Sequence, residues 1–497
     1  MEKDWAGGHD PLSAAPRSAE NKELRDVAGG NVSYGSEEEA SAGGLGADNV
    51  VDWEGEEDTE KPLNWSTARK LKNFVVICYT TFLTPLGSTM FAPAIPQVMA
   101  AFQSSNLLLA SFVVSVWILE FFFGPRFLGP LSELYGRLLV YIVCNFLFTV
   151  FNIATAVAPS LSALVVFRFL AGTFGGCPIT IGAGTFGDLI KPEHRVKCIS
   201  PVQYLGPILG PIAGGYLAED LGCRWICWVL SIAAGVGSIA SVLFQEETYP
   251  VILLERKAAQ LRKSTQNENL RSALAGVDRS PRRVFARSIV QPLKLLFLSS
   301  IVAILSAIQG IIYGLMYPLF TTFPLVFQSQ YGFGTGTVGL TYIGMGVGSL
   351  IGLGVADAEG RWKPEYRLLP LIPGCFFVPV GLLWYGWAAQ DKIHWIVPII
   401  GTAFIGMGVN TLMMCIATYF IDAHPLYEAS ATAALTAVRS PIGCLVPLFG
   451  RSMYEALNLG WGNSLPGFLS LAMCPLPWVF FKYGERIRTS PKHQLKL

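Results

Sequence analysis

Two ionisable side chains stand in stretches that are otherwise apolar. Arg168 lies in LSALVVFRFLAGTFGG, residues 161–176, and Glu120 lies in WILEFFFGPRF, residues 117–127. A guanidinium cannot deprotonate to escape burial. At a bilayer centre it costs about 2.5–3.5 kcal/mol on insertion scales. A buried carboxyl can instead take up and release a proton. Protonation of Glu120 can thus be linked to a cationic or polar substrate, or to a rearranged contact with Arg168. A static Glu120–Arg168 pair that locks part of the fold is the competing reading.

Few other titratable groups lie at depth. Asp188, Glu219, Asp357 and Asp422 fall near the ends of apolar runs, and His194, His394 and His424 flank them. The second half of the chain offers polar and aromatic groups instead. Gln309, Tyr313 and Tyr317 are spaced by four, on one helix face. Asn410, Thr436 and Arg439 lie in later runs. An aromatic face with few hydrogen-bonding groups suits an amphipathic organic molecule. Helix packing and an interfacial aromatic belt are the plainer reading of any one of these residues. The ten cysteines are scattered and lack metal or disulfide spacing. There is no Walker lysine motif and no nucleophile elbow. GAGTFGD, residues 182–188, is glycine-rich but follows no strand. No enzyme activity, catalytic residue, cofactor, metal or nucleic-acid partner is therefore expected.

The elements that must carry these groups are membrane helices. The chain has 497 residues, 52% of them hydrophobic and 14% charged. Soluble domains usually carry about 25% charged residues. Apolar runs of about 20 residues, the length of a membrane span, recur near 74–95, 109–129, 138–157, 161–183, 197–218, 225–244, 297–322, 337–357, 368–388, 395–418, 430–450 and 465–483. That is twelve, split six and six by a polar stretch. At 1.5 Å per residue, Arg168 lies about 10 Å and Glu120 roughly 16 Å deep from one side.

Charge placement orients the spans. Residues 1–66 hold sixteen acids and five bases, and the remainder holds nineteen acids and thirty-one bases. With the N-terminus inside, seventeen Lys/Arg fall in inside loops and three in outside loops. The positive-inside rule then puts both termini in the cytoplasm. The expected order is an acidic disordered tail (1–70), an N-terminal six-helix bundle (71–245), a basic cytoplasmic linker (246–293), a C-terminal bundle (294–484) and a short tail (485–497).

Motifs narrow the class. GPLSELYGR, residues 129–137, joins spans two and three. Gly129 and Gly136 allow a tight turn, and Glu133 and Arg137, at i,i+4, can form an exposed ion pair or reach neighbouring helix ends. In that position the stretch resembles the loop signature of the major facilitator superfamily, at Gly129, Leu131, Glu133, Gly136 and Arg137. The basic residues that commonly follow are replaced by Leu138 and Leu139. YLGPILGPIAGGYL, residues 204–217, sets Gly206, Gly210 and Gly214 on one helix face, with Pro207 and Pro211 as kinks. With Gly215 it resembles the pattern of the superfamily's antiporter branch. EKPLNWSTARK, ETYPVILLERKAAQLRK, PEYRLLP and YGERIR are similar to the fungal twelve-span drug:proton antiporter family, although Glu246 stands where proline is common. Arg168 and Gly172 resemble the span-four signature. The resemblance implies a role in proton coupling for Arg168, a cytoplasmic gating loop that includes Asp188, and no role for Arg439; a structural Arg168 satisfied by backbone carbonyls or snorkelling to the interface is the plainer alternative.

The fold class expected is all-α, two six-helix bundles that rock around a midplane site. The activity expected is proton-coupled efflux of a small organic drug or secondary metabolite by a plasma-membrane monomer. An importer of a nutrient or polyamine, and a non-transporting receptor, are the alternatives.

Overall fold

The computed structural model describes residues 49–55, 57–190, 192–274, 280–357, 364–424 and 428–489, with the side chains of 107, 192–204, 356–357 and 487–489 left aside. Most of the acidic tail, the bases Lys191, Arg361 and Lys363, and residues 490–497 lie outside that set. From Val51 onward the chain forms one compact unit.

Twelve helical spans run through it. In a medium without water, every backbone N–H and C=O must be satisfied within the protein, so apolar runs fold as helices. Span one is Thr67–Thr89. Span two joins Leu107–Ser115, a tighter turn at Val116–Leu119 and Glu120–Tyr135. Span three is Arg137–Ala156. Span four joins Leu161–Gly175 to Cys177–Leu189, with a break at Gly176. Spans five and six are Pro192–Asp220 and Cys223–Phe244. Span seven is Ser300–Tyr331, and span eight joins Thr335–Leu340 to Tyr342–Asp357. Span nine follows a short turn, as Leu371–Gln390, and span ten is Ile396–Ala423. Spans eleven and twelve share Glu428–Met473 and end in Pro475–Thr489. The loop expected between residues 450 and 465 is thus helical. A single residue, Asn458 (φ 61°, ψ 176°), separates the two spans.

Local chemistry sets the ends. The Asn106 side chain accepts from the backbone N–H of Leu108 and Leu109, and Ser160 accepts from that of Ala163. Such caps satisfy the free donors of a helix start. Between spans two and three Gly136 adopts φ 91°, a conformation side chains resist.

Glycine faces set how closely the spans approach. A β-carbon at Gly214 would overlap the Met90 carbonyl of span one, and one at Gly210 would overlap Thr89. The opposite side of span five meets span eight: Gly339 sits on the Pro211–Ile212 backbone and Gly346 on Ile208. Gly344, Gly348 and Gly352 of span eight lie likewise on carbonyls of span ten. The two halves also meet where span two touches span eleven. Gly129, in contrast, lies inside a helix with open space around it and makes no turn.

The stretch between spans six and seven defines one end of the molecule, the linker end. It holds two helices, Pro250–Thr265 and Pro281–Leu298. Residues 51–66, assigned to the acidic tail from sequence, pack here. Lys257 lies 3.2–3.4 Å from Glu54, Asp58 and Glu60. The backbone N–H groups of Glu54 and Glu60 hold the Asp58 carboxyl below its ordinary range. Burial opposes the charge on Lys257, but Glu60 and Asp58 outweigh it and raise its pKa. Glu246 accepts from Arg69 at 2.8 Å and its own N–H donates to Asn73 at 2.9 Å.

Forcing a side chain into the span one–span five seam should be costly, and filling the open glycine should not. Gly214→Val is expected to lower stability by about 1–3 kcal/mol, the usual range for overpacking. Gly129→Ala is expected to be neutral or slightly stabilising. Thermal unfolding of the two variants in one detergent, followed by tryptophan fluorescence, checks the contrast.

Candidate functional site

Arg168 is one of the largest fully buried side chains. Its Nε donates to the Val113 carbonyl of span two at 2.7 Å. One terminal nitrogen reaches the Gly87 and Ser88 carbonyls of span one at 3.4 and 3.5 Å. The guanidinium plane also lies 4.1 Å from the Phe91 ring centre and 4.8 Å from that of Trp117. Arg168 therefore ties three spans of one bundle together. Gly172, one turn on, leaves the space that Trp117 fills, since a β-carbon there would lie 3.3 Å from the indole.

Glu120 forms no ion pair with Arg168. It is 2% exposed, and neither carboxyl oxygen has a partner at hydrogen-bond distance among the described residues. The Trp117 indole N–H faces it, short of hydrogen-bond geometry. Its carboxyl occupies the room left by Gly176, at the break in span four. The charge whose field reaches it is Arg439, on span eleven of the other bundle. The static Glu120–Arg168 pair, one of the two readings of the sequence, is not formed, and the nearest charge acting on Glu120 lies on the other bundle. Helix phase explains the change: Arg168 turns toward spans one and two near the far end, while Glu120 lies deeper, beside Gly176.

Between the bundles lies a cavity of about 110 Å³. Phe121, Tyr313, Tyr317, Phe320 and Tyr342 give it aromatic walls. Asn410, Ser349, Ser88 and Thr89 supply neutral polar groups, and Pro207 and Ile208 bring span five to its rim. Of the four residues the sequence placed in a cavity, Tyr313, Tyr317 and Asn410 line it. The Tyr313 and Tyr317 hydroxyls are 3.1 Å apart, and Asn410 donates to Ser349 at 2.7 Å. Gln309 does not line it; it is buried one turn away, its amide without a partner. Arg439, given no role from sequence, does line it. Its guanidinium lies 4.8 Å from the Tyr313 ring and 5.3 Å from Phe121. The signal was present: a charge midway along an apolar run is a functional candidate by default.

The cavity is smaller than the 300–1,000 Å³ typical of ligand pockets. At the far end, the Glu219 carboxylate of span five accepts from the Gly336 N–H of span eight at 2.7 Å. Gln97 reaches Thr335 at 3.4 Å beside it. Arg126, near the linker end, is buried and bonds the Phe122 carbonyl and, across the bundles, the Ala433 carbonyl at 3.5 Å.

In the loop motif, Arg137 reaches a neighbouring helix end: it pairs with Asp188 of span four at 3.1 Å and not with Glu133. The break at Gly136 turns it away from span two, and Gly184 leaves room for its guanidinium. The Glu247 carboxylate lies against Gly136 and accepts from the N–H groups of Arg137, Leu138, Thr248 and Tyr249 at 3.0–3.2 Å. Glu247 thus caps the start of span three. Gly206, Gly210 and Gly214 form the seam with span one, and Pro211 and Gly215 face span eight.

The Major Facilitator Superfamily sequence profile matches residues 77–447. The chain belongs to the major facilitator superfamily. It is 50% identical over 463 residues to the MFS-type transporter penM of Penicillium rubens, across 90% of this chain and 91% of that one. It is 46% identical to the efflux pump radE of Floropilus chiversii, across 90% and 86%. Among solved structures, the partially occluded inward-open xylose transporter XylE of E. coli superposes with a TM-score of 0.64 at 15% identity, over 83% of this chain and 98% of that one. That likeness shows the fold: twelve helices in two six-helix bundles. The protein is a membrane transporter and not an enzyme.

Arg168 makes a sharp prediction about stability. Arg168→Leu removes the donors that three spans share and is expected to cost about 1–3 kcal/mol, as for other buried polar networks that lose one partner. Arg168→Lys, which keeps one donor and the charge, should recover part of it. Denaturation midpoints of the two variants in detergent check the order.

Proposed function

We propose that this transporter exports a small organic compound, a drug or secondary metabolite, in exchange for protons. The observation that carries the reading is the placement of Glu120 and Arg439 on opposite sides of the bundle contact, with the aromatic cavity between the bundles. A deprotonated Glu120 and Arg439 attract across the span two–span eleven contact. A proton on Glu120 removes that attraction and frees the bundles to rock. Alternating access then exposes the cavity first at one end and then at the other.

Arg168 acts in this scheme as the rigid tie that keeps spans one, two and four moving as one body. The Arg137–Asp188 pair and the Glu247 cap hold the linker end of the N-terminal bundle, where the gate opens. The glycine–proline face of span five is the seam on which the bundles turn. Lys/Arg bias supports a cytoplasmic linker end with both termini inside. We place the transporter in the plasma membrane, as a monomer. The similar radE of Floropilus chiversii is an efflux pump, which favours export over import.

Flux in proteoliposomes, with and without a pH gradient, tests the reading. Gradient-driven export is expected in the wild type. Glu120→Gln should abolish it while substrate exchange at equal pH survives. Intact pH-driven export in that variant would remove Glu120 from the mechanism. Ligand binding without any flux would point to a receptor.

A further inference from the structure

The cavity has a one-sided charge. Among the described residues that line it there is no aspartate, glutamate, lysine or histidine; Arg439 is its charged member. The side chain is 8% exposed, and its Nε has no hydrogen-bond partner. Aromatic rings from both bundles, Phe121 and Tyr313, hold the guanidinium in place. Glu120 does not line the cavity, so it cannot pair directly with a bound ligand in this conformation.

A guanidinium donates hydrogen bonds and accepts none. Leaving a buried donor unpaired is unfavourable, and the penalty is larger when the group is charged. The other buried arginines avoid it: Arg168 and Arg126 spend their donors on backbone carbonyls. Arg439 instead leaves its buried Nε unpaired among the described residues, and its side chain lines the cavity. A planar fork that presents donors also favours planar acceptors. Tyr317, Phe320 and Tyr342 add flat apolar surface beside it.

We infer that Arg439 anchors the substrate, and that the substrate is a planar aromatic compound presenting a hydrogen-bond acceptor: a carboxylate, enolate, phenolate or conjugated carbonyl. Lipophilic cations are excluded, because they would face the Arg439 charge in an apolar enclosure with no carboxylate in its lining. The inference rests on the transport reading for the cavity's use but makes its own claim about what the cavity takes.

Three probes with one ring system and three charges test it: 1-naphthoate, 1-naphthamide and 1-naphthylmethylammonium. Binding to the full-length protein in lipid nanodiscs is measured by calorimetry, apart from any flux. Naphthoate should bind at least about tenfold more tightly than the ammonium probe, as hydrogen bonds to charged groups imply, with the amide between. Arg439→Gln should weaken naphthoate about tenfold and leave the amide nearly unchanged. Arg439→Lys should restore part of the loss. Equal or tighter binding of the ammonium probe to the wild type would overturn the inference, whether or not the variants fold. So would naphthoate binding that is unaffected in a folded Arg439→Gln. Gradient-driven flux of another substrate together with either result would sink the acceptor assignment and leave the transport reading standing. Naphthoate preference without any flux would do the reverse.

Discussion

A guanidinium in a water-free interior must find acceptors within the protein, and three arginines answer that demand in three ways. Arg168 is satisfied inside one bundle, on carbonyls of spans one and two. Arg126 is satisfied partly on its own helix and partly across the bundle contact. Arg439 leaves its buried Nε unpaired among the described residues, and its side chain lines the cavity. The first fixes a rigid body, the second sits where two rigid bodies touch, and the third faces the space between them. The satisfaction of each charge thus marks how much its surroundings must hold still.

Close backbone approach sets where the two bodies can meet. Gly210 and Gly214 bring span five against span one, while the other side of the same helix carries Gly339 and Gly346 of span eight. The cavity lies beside these close contacts: Pro207 and Ile208 of span five and Gly346 of span eight reach it, and Tyr313, Asn410 and Arg439 line it from spans seven, ten and eleven. The breaks at Val116–Leu119 and Gly176 add to this. They give Glu120 a place between spans two and four, out of the cavity but within reach of its field.

Much of the fold was legible because membrane helices write themselves as long apolar runs. The spans could be counted from the sequence, and the glycine spacing of span five gave its packing face. What was illegible depends on helix phase across distant segments. Glu120 and Arg168 are the deep charges of one bundle, and pairing them is the natural guess; their helices turn them apart. Arg137 has Glu133 at helical spacing, yet one positive-φ glycine sends it to Asp188. Gln309 shares a face with Tyr313 and Tyr317 but stops one turn short of the cavity. The helix that continues through residues 451–457, ending at Asn458, replaced an expected loop because nothing in its composition forces a break before that residue.

An exchanger that uses one shared position for proton and substrate must accept only substrates able to compete with a proton, which favours cations. Separating the two positions lifts that restriction. In this protein the acid sits behind the cavity wall and the base sits in it, on opposite bundles. Competition for space is then replaced by a common dependence on the contact between spans two and eleven. On the proposed reading, each ligand alters one partner of a cross-bundle attraction, and coupling depends on the bundles remaining rigid enough to feel it. Rigidity of the N-terminal bundle comes back to Arg168, whose donors bind spans one and two to span four. On that reading, a charge change at Glu120 moves a whole bundle and not a single side chain because Arg168 holds spans one, two and four together.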